Sequence, residues 1–199
     1  WLVIDKALNI SSAKVVSKAK KIVNAAKVGH GGTLDPLATG LLPLAFGEAT
    51  KTVSYMMTGN KTYEFTVSWG SNTDTDDSEG VVVNTSDVRP SKAQIEAILP
   101  QFTGYIQQVP PAYSAIKVDG KRAYALARKK KKFKLGPRPI FIKDFKLIDI
   151  IDVDHASFVV TSGKGAYVRG LARDIAVSLG ATGHVSKLRR THVGPFSEK

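Results

Sequence analysis

The sequence predicts an α/β fold of the α+β type, in which strands and helices mix without a regular βαβ alternation. The clearest strand lies at residues 61–69, because bulky apolar residues and polar residues alternate there. The clearest helix follows Ser11 or Ser12, either of which can cap its first turn. Because a regular βαβ alternation is missing, a doubly wound parallel sheet is not expected. The helix is predicted from apolar residues that recur at helical spacing, namely Val15, Val16, Ala19, Ile22 and Val23.

Local signals predict the remaining elements along the chain. Residues 1–5 read as a short strand, and the first helix is expected to end near Lys27. A glycine-flanked loop around Asp35 follows, and the chain breaks again at Val109-Pro110-Pro111. The later elements are a short helix at 49–57, a helix from the Ser91 and Gln94 capping box to Phe102, a short helix at 121–128, strands at 139–149 and 156–162, and a helix at 167–179 closed by Gly180.

Composition limits the class of protein. The chain has 199 residues, no cysteine and a formal net charge of +12 at pH 7. Its length can bury roughly 70% of the unfolded surface, enough for one core or two joined lobes. The absence of cysteine excludes disulfides, thiolate metal sites and cysteine nucleophiles, and no apolar run approaches the roughly 20 residues of a membrane span. We therefore expect a cytoplasmic protein without membrane contact. The charge favours a polyanionic partner such as nucleic acid, although small anions or acidic lipids also suit it.

Asp35 is the first candidate for chemistry. It lies between Leu34 and Pro36 in an apolar, glycine-rich segment. A carboxylate in such surroundings is hard to keep charged unless a buried cation pairs with it. Aspartate before proline is also a common turn or cap element, so the residue alone leaves a structural role open.

The segment around Asp35 resembles the catalytic motif of the TruB family of tRNA pseudouridine synthases. The family motif reads Gly-His-Thr-Gly-Thr-Leu-Asp-Pro-Leu-Ala-Thr-Gly, and residues 29–40 depart from it only at Gly31, where threonine is usual. Other departures are Ala7 for proline, Ala166 for threonine and Ser162-Gly163 for Cys-Ser. Further segments resemble the family: KTYEFTVSWG at 61–70, TDTDDSEG at 73–80, QQVPPAYSAIKVDGKRAYALAR at 107–128, KGAYVRGLARDI at 164–175 and LRRTHVGPF at 188–196.

The resemblance implies a pseudouridine synthase fold, with a mixed, mainly antiparallel sheet, flanking helices and a central catalytic cleft. Residues 1–199 are then expected to form the catalytic domain. The small C-terminal domain of bacterial relatives, or the PUA domain of archaeal and eukaryotic ones, is expected to be absent from this chain.

The resemblance assigns catalysis to Asp35 and Arg169. A carboxylate can act as a nucleophile or a base without a cofactor. A guanidinium can hold that carboxylate bidentately and keep it ionised in a poorly solvated pocket. The alternative for Arg169 is a surface or phosphate-binding role. No cofactor and no metal are expected.

The resemblance also assigns substrate binding to four residues. Tyr63 and Tyr167 would form a flat wall that replaces the stacking lost by an extruded uracil, although core aromatics would look the same in isolation. His30 would pack at the cleft rim where the base has left the T-loop, unless it is merely structural. Leu188 would contact the base, its alternative being a leucine in a helix core.

Contacts to the RNA backbone are expected from a basic region that contacts RNA in relatives. Phosphate contacts position a substrate without reading its sequence. The lysine run at 129–132 would otherwise be a solvated face. The candidate residues are Lys117, Lys121, Arg122, Lys129 and Lys130.

The acidic cluster TDTDDSEG at 73–80 resembles a calcium loop at first reading. It lacks the full Asp-x-Asp-x-Asp-Gly spacing with a glutamate at the twelfth position. The failed spacing argues against a bound metal, and the family resemblance implies a hairpin-like turn beside the sheet.

The resemblance implies a cofactor-free tRNA pseudouridine synthase that flips and isomerises the T-loop uridine, position 55 in tRNA numbering, and we expect it to be a monomer. One alternative is the same chemistry under guide-RNA control, which would show itself if the purified protein alone failed to modify a T-arm. A second is a catalytically silent RNA chaperone that binds the tRNA elbow. The joint presence of Asp35, Tyr63, Tyr167 and Arg169 argues against the chaperone.

Overall fold

The computed structural model describes residues 1–198, and its centre is a nine-stranded sheet. The strands of this sheet are β1 (Leu2–Lys6), β2 (Val28–His30), β3 (Ala38–Phe46), β4 (Lys61–Trp69), β7 (Gly104–Gln108), β10 (Arg138–Asp152), β11 (His155–Ser162), β12 (Gly183–Val193) and β13 (Phe196–Ser197). Two small hairpins lie outside it, β5 (Ser71–Thr73) with β6 (Val82–Thr85) and β8 (Lys117–Val118) with β9 (Lys121–Arg122).

The helices are short and surround the sheet. They are α1 (Ser12–Ile22), α2 (Val53–Thr58), α3 (Lys92–Ile98), α4 (Ala123–Arg128) and α5 (Val168–Ser178). A 3₁₀ turn, Gly47–Thr52, leads into α2, and a second, Leu99–Phe102, extends α3.

The sheet is mixed but mainly antiparallel, as predicted. Its main path runs β1-β3-β12-β4-β11-β10-β7, while β2 pairs with β3 and β13 pairs with β12. Only β3 and β12 run parallel, and the other described pairs in this sheet are antiparallel. The strand β12 thus joins the N-terminal strands to the rest of the sheet.

Two apolar cores lie against this sheet. The larger is formed by the buried faces of β4, β10, β11 and β12 with α3 and α5. The smaller is formed by α1, β3 and Leu34. Tyr63 and Leu188 pack against both clusters, so the junction of the cores lies where β4 and β12 run side by side.

Several predicted elements are confirmed. The strand at residues 61–69 buries Phe65, Val67 and Trp69. The capping box of Ser91 and Gln94 has both of its reciprocal hydrogen bonds. The predicted helix at 121–128 begins later, at Ala123, because the two preceding residues form β9.

The first helix ends earlier than predicted, at Ile22 rather than near Lys27. Asn24 adopts a left-handed φ of +47°, and its N–H bonds to the Lys21 carbonyl. A residue in this conformation ends a helix. Ile22 and Val23, predicted on the buried face, are 83% and 52% exposed.

Residues 38–46 form the strand β3, so the expectation of a loop throughout this segment is wrong. The strand is nearly continuously apolar, as is typical of a strand buried on both faces. Leu42, Leu44 and Ala45 are fully buried. The loop is confined to the residues before it, which include Asp35.

Gly40 permits the close approach of β3 to β12. It lies opposite Arg190 in the parallel ladder and has a φ of +100°. A Cβ at this position would lie 2.2 Å from the Arg190 carbonyl oxygen. Glycine is therefore required both by the backbone conformation and by the contact.

We expect Gly40→Ala to destabilise the fold by about 2 to 6 kcal/mol, since backbone strain and overpacking each cost about 1 to 3 kcal/mol. Urea unfolding at neutral pH measures this. The matched control is Gly136→Ala, which has open space for a Cβ and no positive φ, and it should stay within about 0.5 kcal/mol of wild type. Equal stability of the two variants would contradict the assignment.

Candidate active site

A cavity of about 520 Å³ opens where the two cores meet. Five of the site residues predicted from the sequence line it: Asp35, Tyr63, Tyr167, Arg169 and Leu188. His30 and the five predicted RNA-backbone residues do not belong to the lining. The structure therefore brings together the predicted catalytic and base-binding side chains, with His30 as the exception.

Arg169 connects three segments at the cavity wall. Arg169 as a whole residue is only 5% exposed. Nε donates to Asp35 Oδ2 at 2.9 Å, Nη1 donates to the Thr75 carbonyl at 2.7 Å, and Nη2 donates to the Tyr113 carbonyl at 3.0 Å. Nε also lies 3.6 Å from Asp77 Oδ2. The pairing with Asp35 is thus a single charge-assisted hydrogen bond, not the bidentate fork that we predicted, because the other two nitrogens bind carbonyl groups.

The Asp35 carboxylate has one oxygen that Arg169 does not bind, and the side chain lines the cavity. Its side chain is 40% exposed, whereas that of its partner Arg169 is 6% exposed. Within residues 1–198, Asp35 Oδ1 accepts no hydrogen bond. One oxygen is therefore held by the protein and the other is available to a bound molecule.

The loop that carries Asp35 is clamped on both sides. The Ser12 hydroxyl donates to the Leu34 carbonyl at 2.8 Å and accepts from the Leu34 N–H at 2.9 Å. The Pro36 carbonyl accepts from the Asn9 N–H at 2.9 Å and from Lys6 Nζ at 3.2 Å. These bonds fix the backbone immediately before and after the carboxylate.

Lys6 was not predicted as part of the site. It is fully buried, and its ammonium also donates to the Ala7 and Ile10 carbonyls. Burial lowers the pKa of Lys6, while the negative charge of Asp35 acts in the opposite direction. The Lys6 ammonium and the Asp35 carboxylate therefore interact through their charges, although within residues 1–198 Lys6 forms no ion pair with Asp35.

The acidic cluster at residues 73–80 also holds Arg169. Asp77 Oδ1 accepts from the Thr75 hydroxyl at 2.6 Å and from the Glu79 N–H at 3.0 Å. Asp76 Oδ2 accepts from Arg173 Nη1 at 3.0 Å. Arg169 and Arg173 are four residues apart on α5, so one helix face neutralises the buried carboxylates of the turn.

The acidic cluster forms the connection of the β5–β6 hairpin, as the family resemblance implied. Among residues 1–198, no group of three or more His, Cys, Asp or Glu side chains is placed to hold a metal ion.

Tyr63 and Leu188 form the wall at the junction of the cores. Tyr63 is on β4, and Leu188 is on β12 opposite Phe65. Leu188 also pairs in register with Ala38 of β3, close to the Asp35 loop. The alternative of a leucine in a helix core is thus wrong, because residues 183–193 form a strand.

Tyr167 is held by its backbone just before α5. Its N–H donates to Gln108 Oε1 at 2.9 Å, and its carbonyl accepts from Gln108 Nε2 at 3.0 Å. Burial raises the pKa of the Tyr167 hydroxyl. The hydroxyl therefore stays protonated at neutral pH and can donate a hydrogen bond within the cavity.

His30 lies on β2 opposite Leu44, outside the cavity lining. Burial lowers the pKa of His30, and the positive charge of Arg190 lowers it further. The imidazole is therefore neutral at pH 7. Its Nδ1 is buried and finds no partner in the described part of the chain.

The predicted RNA-backbone residues are exposed, and they lie in the chain just before and just after helix α4. Lys117, Lys121 and Arg122 lie on the β8–β9 hairpin, while Lys129 and Lys130 follow α4. Within residues 1–198, none of these side chains pairs with a carboxylate. Arg122 donates to the Ala115 carbonyl. From the adjoining helix α4, Tyr124 and Arg128 reach the cavity lining, with a cation–π contact of 5.6 Å between them.

Comparison with protein families agrees with this geometry. Residues 20–168 match the TruB family pseudouridylate synthase (N terminal domain) profile, and residues 169–199 match the tRNA pseudouridylate synthase B C-terminal domain profile. The chain belongs to the TruB family. The two matches meet at the start of α5, which packs into the larger core of the same sheet.

Curated relatives are similar over the whole chain. The tRNA pseudouridine synthase B of Rhodospirillum rubrum is 56% identical over 99% of this chain, and that of Gluconacetobacter diazotrophicus is 58% identical over 100%. The protein of the same name from Caulobacter vibrioides is 53% identical over 100%. The chain spans 64%, 65% and 64% of the lengths of these three relatives.

Solved structures also resemble the fold. A crystal structure of a Cbf5-Nop10-Gar1 complex matches 99% of this chain and 50% of its own with a TM-score of 0.76 and 31% identity. A structure of an H/ACA RNP bound to a substrate RNA containing 2′-deoxyuridine matches 99% and 49% with a TM-score of 0.72 and 28% identity. Among residues 1–198, no helix is both long and apolar enough to cross a lipid bilayer.

Two buried cations in this TruB-family cavity were not singled out from the sequence, Lys61 and Arg190. They are 7% and 1% exposed. Lys61 shares the strand face of Tyr63, so the alternation of residues 61–69 already indicated an inward lysine. Burial lowers the pKa of Lys61 to about 8, with further lowering by the positive charges of Arg190 and Lys164.

This lowered pKa predicts how the stability of the TruB-family chain depends on pH. An unfolded lysine has a pKa near 10.4, so between about pH 8 and 10 the unfolded chain holds a proton that folded Lys61 has lost. The free energy of unfolding of wild type, relative to Lys61→Met, should therefore rise with pH, by at most about 1.4 kcal/mol per pH unit. Urea unfolding of both proteins from pH 7 to 10 measures the difference, and a difference that stays constant would contradict the shift.

Proposed function

We propose that this chain forms the catalytic part of a tRNA pseudouridine synthase that isomerises the T-loop uridine, position 55 in tRNA numbering. The observation that carries the proposal is the Asp35 carboxylate, which is partly exposed to the cavity and is bound on one oxygen by the buried Arg169. Two tyrosines line the same cavity. The similarity to tRNA pseudouridine synthase B over nearly the whole chain supports this reading of the geometry.

The reaction breaks the N1–C1′ bond of uridine, turns the base and joins C5 to C1′. A carboxylate can promote it by attack at C1′, by attack at C6 or by removal of a sugar proton. Asp35 suits each of these steps, because Oδ2 is anchored while Oδ1 faces the cavity. The hydrogen bond from Arg169 Nε holds Oδ2 in place and so orients the carboxylate.

The target base must leave the RNA stack to reach Asp35. Tyr63 and Tyr167 supply flat faces for the extruded uracil, and Leu188 supplies an apolar contact at the core junction. The protonated Tyr167 hydroxyl can donate to a uracil carbonyl. His30, a neutral ring outside the lining, is proposed to pack against the RNA at the rim.

RNA binding beyond the cavity is assigned to the exposed cations of the β8–β9 hairpin and of the segment after α4. A net charge of +12 supports a polyanionic partner. We propose recognition of the T-arm mainly by loop shape, by a monomer acting without cofactor or metal in the cytoplasm, where tRNA is processed. We also retain the proposal that residues 1–199 are the catalytic domain.

The guide-RNA alternative has a specific observation in its favour. The solved structures that resemble this fold include a Cbf5-Nop10-Gar1 complex and an RNA-bound H/ACA RNP. Their identities of 31% and 28% are well below the 56% and 58% to the tRNA enzymes. The higher identity favours a protein that acts on tRNA alone.

The proposal is tested by the hydrogen on C5, which must leave to solvent whichever atom Asp35 first engages. We expect tritium at C5 of a T-arm transcript to be released one-to-one with pseudouridine, in buffer with EDTA and no cofactor. Asp35→Asn preserves shape but removes the charge, so single-turnover release should vanish while RNA binding stays within about threefold. Tyr63→Ala should slow release by the loss of about 1 to 3 kcal/mol of stacking, and Tyr63→Phe should retain more activity.

The outcomes separate the alternatives. Tight binding without release by wild type would favour the silent chaperone. Release only after a guide RNA is added would favour the guided enzyme. Measurable release by Asp35→Asn would overturn the role of Asp35.

A further inference from the structure

A second group of side chains in the cavity has no assigned role. Lys61, Lys164 and Arg190 all line it, and all are cations. They come from neighbouring parts of the sheet: Arg190 on β12 pairs in register with Tyr63, while Lys61 on β4 pairs with Ser162, two residues before Lys164. The topology therefore converges three positive charges on one side of the site.

These cations lack carboxylate partners. Within residues 1–198, none of the three forms an ion pair. Lys61 Nζ donates to the Met57 and Gly59 carbonyls at 2.5 and 2.6 Å. Arg190 Nε and Nη2 donate to the Leu41 and Gly32 carbonyls at 2.8 and 3.0 Å. Carbonyl dipoles orient the two buried cations but leave their charge uncompensated.

Donors remain free toward the cavity. In the described part of the chain, neither Arg190 Nη1 nor Lys164 Nζ has a hydrogen-bond acceptor. The cations also repel one another, because Arg190 and Lys164 both disfavour the charged form of Lys61. A site with three neighbouring positive charges is suited to bind an anion, because the anion would offset the repulsion among them.

Three carboxylates line the cavity, and within residues 1–198 none of them forms an ion pair with Lys61, Lys164 or Arg190. Asp35 and Asp77 both lie against Arg169, and Glu79 is exposed. The charge of the three cations is therefore left to an anion brought by a ligand. A nucleotide whose base enters the cavity carries a phosphodiester group on each side of its sugar, and this is the anion that accompanies an extruded uridine.

We propose that Lys61, Lys164 and Arg190 form a phosphate-binding subsite that takes one of the two phosphodiester groups flanking the target nucleotide. The proposal rests on the proposed function, since it needs a nucleotide in the cavity. Arg190 would orient the phosphate through Nη1, and Lys164 would close over it from the exposed loop before α5. The subsite would hold the sugar while the base is detached and turned.

The test compares RNA affinities in a double-mutant cycle. It combines removal of the Lys164 charge with removal of the charge of each phosphate that flanks the target uridine. Lys164 is exposed, so Lys164→Gln should fold normally, which its melting temperature checks. The RNAs are a T-arm hairpin and two versions with an uncharged methylphosphonate, one on each side of the target uridine. We expect Lys164→Gln to weaken binding of the natural hairpin about five- to tenfold. On one methylphosphonate RNA it should cause no further loss.

Lys18→Gln is the matched control, because Lys18 is an exposed lysine on α1, lies outside the cavity lining and forms no ion pair within residues 1–198. Whatever loss it causes should be the same on all three RNAs. A loss from Lys164→Gln that is equally large on all three RNAs would overturn the subsite, and tritium release by wild type would then show that the proposed function still stands. Failure of wild type to bind any hairpin would overturn both.

Discussion

The buried guanidinium of Arg169 is the interaction on which the rest of the site depends. Its three nitrogens bind the Asp35 carboxylate, the Thr75 carbonyl of the acidic turn and the Tyr113 carbonyl. These acceptors lie far apart in the chain, and within residues 1–198 no strand pairing joins the three segments that carry them. A cation that is 5% exposed must satisfy its donors within the protein. That requirement fixes the position of the loop that carries Asp35.

The sheet provides the frame for this arrangement. The parallel pairing of β12 with β3 sets Leu188 beside Ala38, three residues after Asp35, and the antiparallel pairing of β12 with β4 sets Arg190 beside Tyr63. Lys6 and Ser12 then clamp the Asp35 loop from the N-terminal side. The cavity lining thus holds two charged groups: Asp35 and Asp77 beside Arg169, and the cations Lys61, Lys164 and Arg190, which form no ion pair within residues 1–198.

The parts of the fold that follow from local chemistry could be predicted. The alternation around Phe65 predicts a strand, and the capping box at Ser91 predicts a helix start. Asp35, Tyr63, Tyr167 and Arg169 lie in motifs that resemble one family, and these residues meet in one cavity. The strand β3 was missed because its continuous apolar run has no period of two, so only its neighbours reveal it. Gln108 and Arg190 were missed because the backbone groups that they bind are distant in sequence. Lys6 was missed because its contact with the Asp35 loop, the Pro36 carbonyl, lies 30 residues away.

The free energy of unfolding of Arg169→Met at neutral pH, measured by urea against wild type and Asp35→Asn, tests most directly whether Arg169 organises the site. Loss of the guanidinium leaves the buried Asp77 carboxylate without its cation and the Thr75 and Tyr113 carbonyls without their donor, so Arg169→Met should lose about 3 to 5 kcal/mol. Asp35→Asn keeps an acceptor for Nε and leaves the other contacts of Arg169 intact, so it should lose less than about 1.5 kcal/mol. A stability of Arg169→Met within about 1 kcal/mol of wild type would contradict the organising role of Arg169, because removal of a buried charge partner should cost more than that.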